Sequence, residues 1–130
     1  MPVLQSLISE PVGDAQGPSV LLSNAQTGNG DSTNIAFRGR RPTGGAVVVT
    51  SAIGATPTVT VNIQGSVDGT TWFNVPYALV ATPRTFVLTA ITITTAVTTT
   101  YLLQELIFWQ YLKLAYSANT NVTLTATAYL

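Results

Sequence analysis

The side chains that do most enzyme chemistry near neutral pH are missing from this chain, which holds no His and no Cys. Without imidazole or thiolate, neither a Ser-His-Asp nor a Cys-His arrangement can be assembled, and the commonest zinc ligands are absent as well. The remaining candidates for acid or base work are Glu10, Asp14, Asp31, Asp68, Glu105 and Lys113. Glycoside hydrolysis needs two carboxylates facing each other across a cleft, and these are scattered along the chain. Asp68 precedes Gly69, where the ordinary role of the carboxylate is to bond the backbone of a tight turn. The expectation is a protein that is not an enzyme and needs no cofactor.

Three other groupings bear on binding. The loop Gly28-Asn29-Gly30-Asp31-Ser32-Thr33-Asn34 offers oxygens to a hard cation, but a calcium loop normally brings several carboxylates and this one brings a single Asp. A loop without metal is expected. Arg38, Arg40 and Arg41 put three of the five basic residues into four positions, suited to salt links with an acidic protein partner or a phosphate, yet too few for the broad footprint of nucleic-acid binding. Adjacent aromatics on a strand point to opposite faces. One member each of Trp72/Phe73 and Phe108/Trp109 is therefore expected to face outward or into an interface. Arg38, Arg40, Arg41, Trp72 and Trp109 are the candidate protein-interaction residues.

The elements that must position these groups read as strands. Thr is the most abundant residue, followed by Ala, Val and Leu, and β-branched side chains suit a pleated sheet better than a helix. Residues 58–66 alternate with a period of two: Val59, Val61 and Ile63 on one face, Thr58, Thr60, Asn62 and Gln64 on the other. Asp68-Gly69 signals a hairpin, with residues 72–75 returning and Pro76 limiting them. Further strands are expected at residues 19–23, 32–37, 46–51, within 84–95 as one strand or a bent pair, and at 98–103. The stretch 52–57 reads as a turn because of Gly54 and Pro57. Residues 104–107 have the spacing of a helical turn. Residues 108–116 and 121–129 flank Ser117-Ala118-Asn119-Thr120 and read as a C-terminal hairpin, with Val122, Leu124, Ala126 and Ala128 on one face.

About eight short strands with turn residues between them predict an all-β, antiparallel β-sandwich or jelly roll over residues 19–130. Residues 1–18, with Pro2, Pro11, Gly13, Gly17 and Pro18 and no periodicity, read as an extended N-terminal arm. The composition is 46% hydrophobic and only 8% charged, with zero formal net charge. Charged residues typically make up about a quarter of a soluble domain. A surface so poor in charge is easily desolvated, which favours assembly into a homo-oligomer or onto other proteins. No run of apolar residues is long enough to span a membrane. The first residues lack the basic start and apolar run of a secretory signal, so the expectation is a protein made in the cytoplasm with no membrane partner.

The segment Val61-Asn62-Ile63-Gln64-Gly65-Ser66-Val67-Asp68-Gly69-Thr70-Thr71-Trp72-Phe73-Asn74-Val75 resembles a strand-turn-strand pattern of small β-sandwich virion proteins of tailed bacteriophages. The Thr- and Ala-rich, Cys-free remainder is similar in style. The resemblance implies a capsid decoration or cement protein, or a tail or neck component, seated on the major capsid protein or other virion proteins and located in the virion. A related Ser-x-Asp-Gly-x-x-Trp hairpin occurs in discoidin-like carbohydrate-binding sandwiches, which implies an alternative in which Trp72, Tyr77 or Trp109 stacks on a sugar. A small secreted adhesin is a further alternative, but it requires an export signal.

Overall fold

The structure is a computed structural model and describes residues 19–37, 43–104 and 106–130. The arm expected at residues 1–18 and the Arg38, Arg40 and Arg41 cluster lie outside the described residues, as does Glu105. Among the described residues, nine strands form one antiparallel sheet: β1 (Ser19–Gln26), β2 (Gly30–Asp31), β3 (Ile35–Ala36), β4 (Gly45–Ser66), β5 (Phe73–Asn74), β6 (Tyr77–Leu79), β7 (Ile91–Ile93), β8 (Thr98–Leu103) and β9 (Tyr111–Tyr129). A 3-10 turn, Leu106–Phe108, joins β8 to β9. The all-β antiparallel class and the helical turn near residue 106 are therefore as expected.

The frame is a ribbon of two long strands. β4 has 22 residues and β9 has 19, and they pair with each other from Ala46↔Tyr129 to Ser66↔Tyr111. Two expectations are corrected by this. Residues 52–57 do not reverse the chain, and residues 108–116 and 121–129 do not form a hairpin with each other, since each half of β9 pairs with a half of β4. The reason lies in how the interruptions are spaced across the ribbon. Between the pairs Ile53↔Val122 and Thr58↔Thr120, β4 contributes residues 54–57 while β9 contributes only Asn121. Extra residues on one strand bend and twist it instead of ending it. Pro57 is tolerated because it falls in this irregular stretch. The bend uses left-handed backbone at Thr56 (φ 48°), Ala118 (φ 52°) and Asn121 (φ 53°). Asn121 donates its side-chain amide to the Ala55 carbonyl, and the Asn119 side chain is bonded to both the N–H and the C=O of Val122.

The bend brings the two halves of the ribbon face to face. One half carries β1, β8 and β6 as neighbours; the other carries β2, β3, β5 and β7. The residues that alternate inward, Val47 and Val49 in the first half of β4, Val59, Val61 and Ile63 in the second, Leu112, Leu114 and Tyr116 in the first half of β9, and Val122, Leu124, Ala126 and Ala128 in the second, share a single hydrophobic core. Each fully buried Val or Leu contributes about 1.5–3 kcal/mol relative to exposure. A polar link crosses the core: Ser23 of β1 and the Tyr116 hydroxyl of the other half lie 2.7 Å apart. Burial pushes the Tyr116 phenol up from its ordinary pKa, so it stays protonated and able to hydrogen-bond throughout the physiological range.

The stretch expected to form a strand or bent pair at 84–95 is mostly irregular. Only Ile91–Ile93 is a strand, and Val87 makes an isolated bridge to Tyr77. Val87 and Leu88 remain exposed.

Candidate interaction surface

Because the ribbon is folded at residues 54–57 and 118–121, both of its ends meet at the opposite pole of the molecule. There β4 begins at Gly45, paired with Leu103, and ends at Ser66, paired with Tyr111. The Asp68-Gly69 turn that follows β4 is built as the sequence predicts. Asp68 accepts the N–H groups of Thr70 and Thr71 at 2.8 and 2.9 Å, Ser66 Oγ lies 3.0 Å from the same carboxylate, and Gly69 takes a φ of 83°. These bonds hold the exposed Asp68 carboxyl well below the usual carboxylate range, the Thr71 and Thr70 amides being the main cause.

A free Asp ionises near pH 4. Since folded Asp68 ionises lower, it contributes stability above about pH 4 that is lost as the pH falls from there toward its folded pKa. Asp68→Asn is expected to melt below the parent chain at pH 6, with the two melting temperatures converging as the pH is lowered below about 4. Thermal melts across that range check this.

The turn delivers Trp72 and Phe73 to different neighbourhoods. Trp72 lies edge-on to Tyr111 at 6.5 Å, and the Lys113 ammonium sits 4.3 Å from the centre of its ring. Lys113 is buried and bonds Asp31 at 2.8 Å. Phe73 stacks with Trp109 at 6.1 Å, and the Trp109 indole lies directly on the backbone of Gly65, where a Cβ would fall 2.6 Å from the ring. The Trp109 indole N–H is buried with no acceptor among the described residues.

Trp72 and Trp109 are thus half-buried, and the exposed members of the two adjacent pairs are Phe73 (54%) and Phe108 (64%). One member of each pair is outward as expected, but not through strand alternation: Trp72 precedes β5, Phe108 lies in the 3-10 turn, and Trp109 falls between that turn and β9, so the strand expected at 108–116 begins only at Tyr111. Val67 (62% exposed), just after the end of β4, and Ile107 (45%), in the turn before β9, are exposed in the neighbouring stretches of chain, and Phe73 stacks on Trp109. The residues flanking the arginine cluster stand at the same pole: the Phe37 N–H donates to the Gln110 carbonyl, and Gly44 lies against the Leu103 carbonyl.

The other candidate chemistries find their groups already engaged. In the loop offered to a cation, Asp31 bonds Lys113, Asn29 accepts the Asn119 N–H, and Ser32 bonds the backbone of Leu114 and Thr33. Of the three aromatics offered to a sugar, Trp72 holds the Lys113 ammonium over its ring, Tyr77 lies edge-on to Tyr101 at 5.4 Å, and Trp109 rests on Gly65. What the pole can offer chemically is desolvation: rigid aromatic and aliphatic surface of the kind that anchors protein contacts.

A similar fold occurs in the crystal structure of SPBc2 prophage-derived protein YomS, with a TM-score of 0.55 and 8% sequence identity over 86% of this chain and 91% of that one. At that identity the likeness establishes a shared fold. No protein-family model matches the chain, and no curated protein matches it.

Proposed function

We propose that the protein is a structural component of a bacteriophage particle, and within that class a capsid decoration protein that binds the major capsid protein or a neighbouring virion protein and stabilises the shell. It acts in the virion, as one of many copies, and not as an enzyme. The observation that carries this reading is Phe73, 54% exposed and stacked on Trp109, with Val67 exposed just after the end of β4 and Ile107 and Phe108 exposed in the turn before β9. Its fold is shared almost end to end with a prophage-derived protein, which supports the phage setting. A tail or neck position would use the same surface.

Apolar anchors supply the affinity, and the arginines at positions 38, 40 and 41 supply charge that an acidic rim on the partner would complement. In a lattice, repeated copies add avidity, so each contact can be weak alone. The test is co-sedimentation of the purified protein with phage shells that lack it. The parent chain is expected to saturate the shells. The double variant Phe73→Ser, Phe108→Ser removes two exposed side chains without opening the core, and is expected to bind about 30-fold more weakly, as for loss of a hot spot of about 2 kcal/mol. Saturable binding that is unchanged in the variant would move the contact elsewhere on the domain, and no binding of either chain to any particle component would remove the virion reading.

A further inference from the structure

β6 pairs with β8 along one side, and on the other it meets the chain again at a single point, where Tyr77 and Val87 exchange N–H to C=O bonds at 3.0 and 2.9 Å. An antiparallel pair of this kind uses both backbone groups of each partner, and the groups of the adjacent residues then point to the opposite side. Around Val87 that side is the outside of the sheet. Among the described residues, the N–H groups of Phe86 and Leu88 donate to no backbone carbonyl. Pro76, Phe86, Val87, Leu88 and Gln104 line a groove of about 260 Å³ at this edge, and Leu88 is 57% exposed. Two residues before Phe86 stands Arg84, exposed and without a salt-bridge partner among the described residues.

We infer that residues 86–88 are a docking edge for an extended segment of another protein, one that alternates apolar residues and carries a carboxylate opposite Arg84. When a strand adds to an open edge, main-chain bonds give the affinity and pockets for alternate side chains give the specificity. The unused N–H groups of Phe86 and Leu88 supply the first, and the groove supplies the second. Native edges are commonly blunted by charged side chains, bulges or a covering loop, whereas Phe86, Val87 and Leu88 present an uncharged apolar run. Charge selects the partner. Of the side-chain carboxylates among the described residues, Asp31 bonds Lys113 and Asp68 bonds its own turn, so a second copy offers Arg84 no unengaged carboxylate there. None of the groove's residues belongs to the Phe73 and Trp109 contact, so the edge goes beyond the proposed role in a shell and stands or falls without it.

The probe is a random library of short peptides displayed on yeast and selected against the purified full chain. Enriched peptides are expected to alternate Val, Ile or Leu with other residues and to carry Asp or Glu. On binding them, the amides of Phe86 and Leu88 should gain protection from hydrogen exchange. Leu88→Ser removes one wall of the groove from an exposed position and is expected to weaken binding about tenfold. Arg84→Glu is expected to exchange the preference for acidic peptides for one for Lys or Arg. Both variants lie on the surface and should melt with the parent chain. A library that yields no enriched peptide would overturn the inference, as would enriched peptides that bind both variants as tightly as the parent. Concentration-dependent self-association that Leu88→Ser abolishes would overturn it too, since the edge would then hold a second copy.

Discussion

Leu114→Ala is expected to destabilise the fold by about 2–5 kcal/mol, the range for deleting a large aliphatic side chain from a closed core. Leu114 lies midway along the first half of β9, pairs with Ile63 and is fully buried. Its side chain points into the space where the two halves of the ribbon meet, so the void it leaves is bounded by both. Neither half can close the gap without moving the other, because β4 and β9 run unbroken through the bend. A domain of this size has a total stability of about 5–15 kcal/mol, so the variant would lose a large fraction of it. Leu21→Ala on β1, where the side chain is 52% exposed, is the control and should change stability by less than about 0.5 kcal/mol. Urea unfolding followed by tryptophan fluorescence measures both, and equal effects at the two positions would contradict a single shared core.

The second large effect is expected from adding side-chain atoms. Gly65→Val should drive Trp109 off the end of β4, at a cost of about 1–3 kcal/mol for overpacking and with a red shift of tryptophan emission. The new Cβ would lie 2.6 Å from one atom of the indole and 2.7 Å from another. Those atoms belong to the stiff ring near its attachment, and the ring itself packs against the core, so no small rotation relieves the clash. Once displaced, the indole no longer supports Phe73, and binding to shells should weaken along with it. Trp109→Ala separates steric from binding effects. If Gly65→Val acts by evicting the indole, it should cost much less in the Trp109→Ala background than in the parent chain, a non-additivity read from a double-mutant cycle. Strictly additive costs would place the clash elsewhere.

Much of the fold could be read in advance where the information is local. The alternation of Val59, Val61 and Ile63, and that of Val122, Leu124, Ala126 and Ala128, identified the buried faces of the ribbon, because a period of two sends alternate side chains to opposite sides of a strand. Asp68-Gly69 announced its turn, since the carboxylate and the positive φ serve that geometry wherever the chain carries them. The interaction surface was only half legible. Each adjacent aromatic pair has an outward member, but strand alternation is not the cause, since Trp72, Phe108 and Trp109 lie outside the strands. Trp72 is held by Lys113 and Tyr111 and Trp109 by Gly65, neighbours far away in sequence or across a strand.

The amino-acid order therefore settled by itself the class of the protein and the faces its strands bury, both of which depend on residue type and on near neighbours. Tertiary structure decided whether the breaks at residues 52–57 and 117–120 reverse the chain or merely bend it. The reason is that a break in alternation looks the same in either case. Its outcome depends on which strand lies alongside, and for β4 and β9 that partner comes from a remote part of the chain, whose own irregularity at Asn121 matches the one at residues 54–57. By folding a continuous ribbon instead of making two separate hairpins, the chain pairs the end of β4 at Ser66, just before Val67, with the start of β9 at Tyr111, just after the turn that carries Ile107 and Phe108.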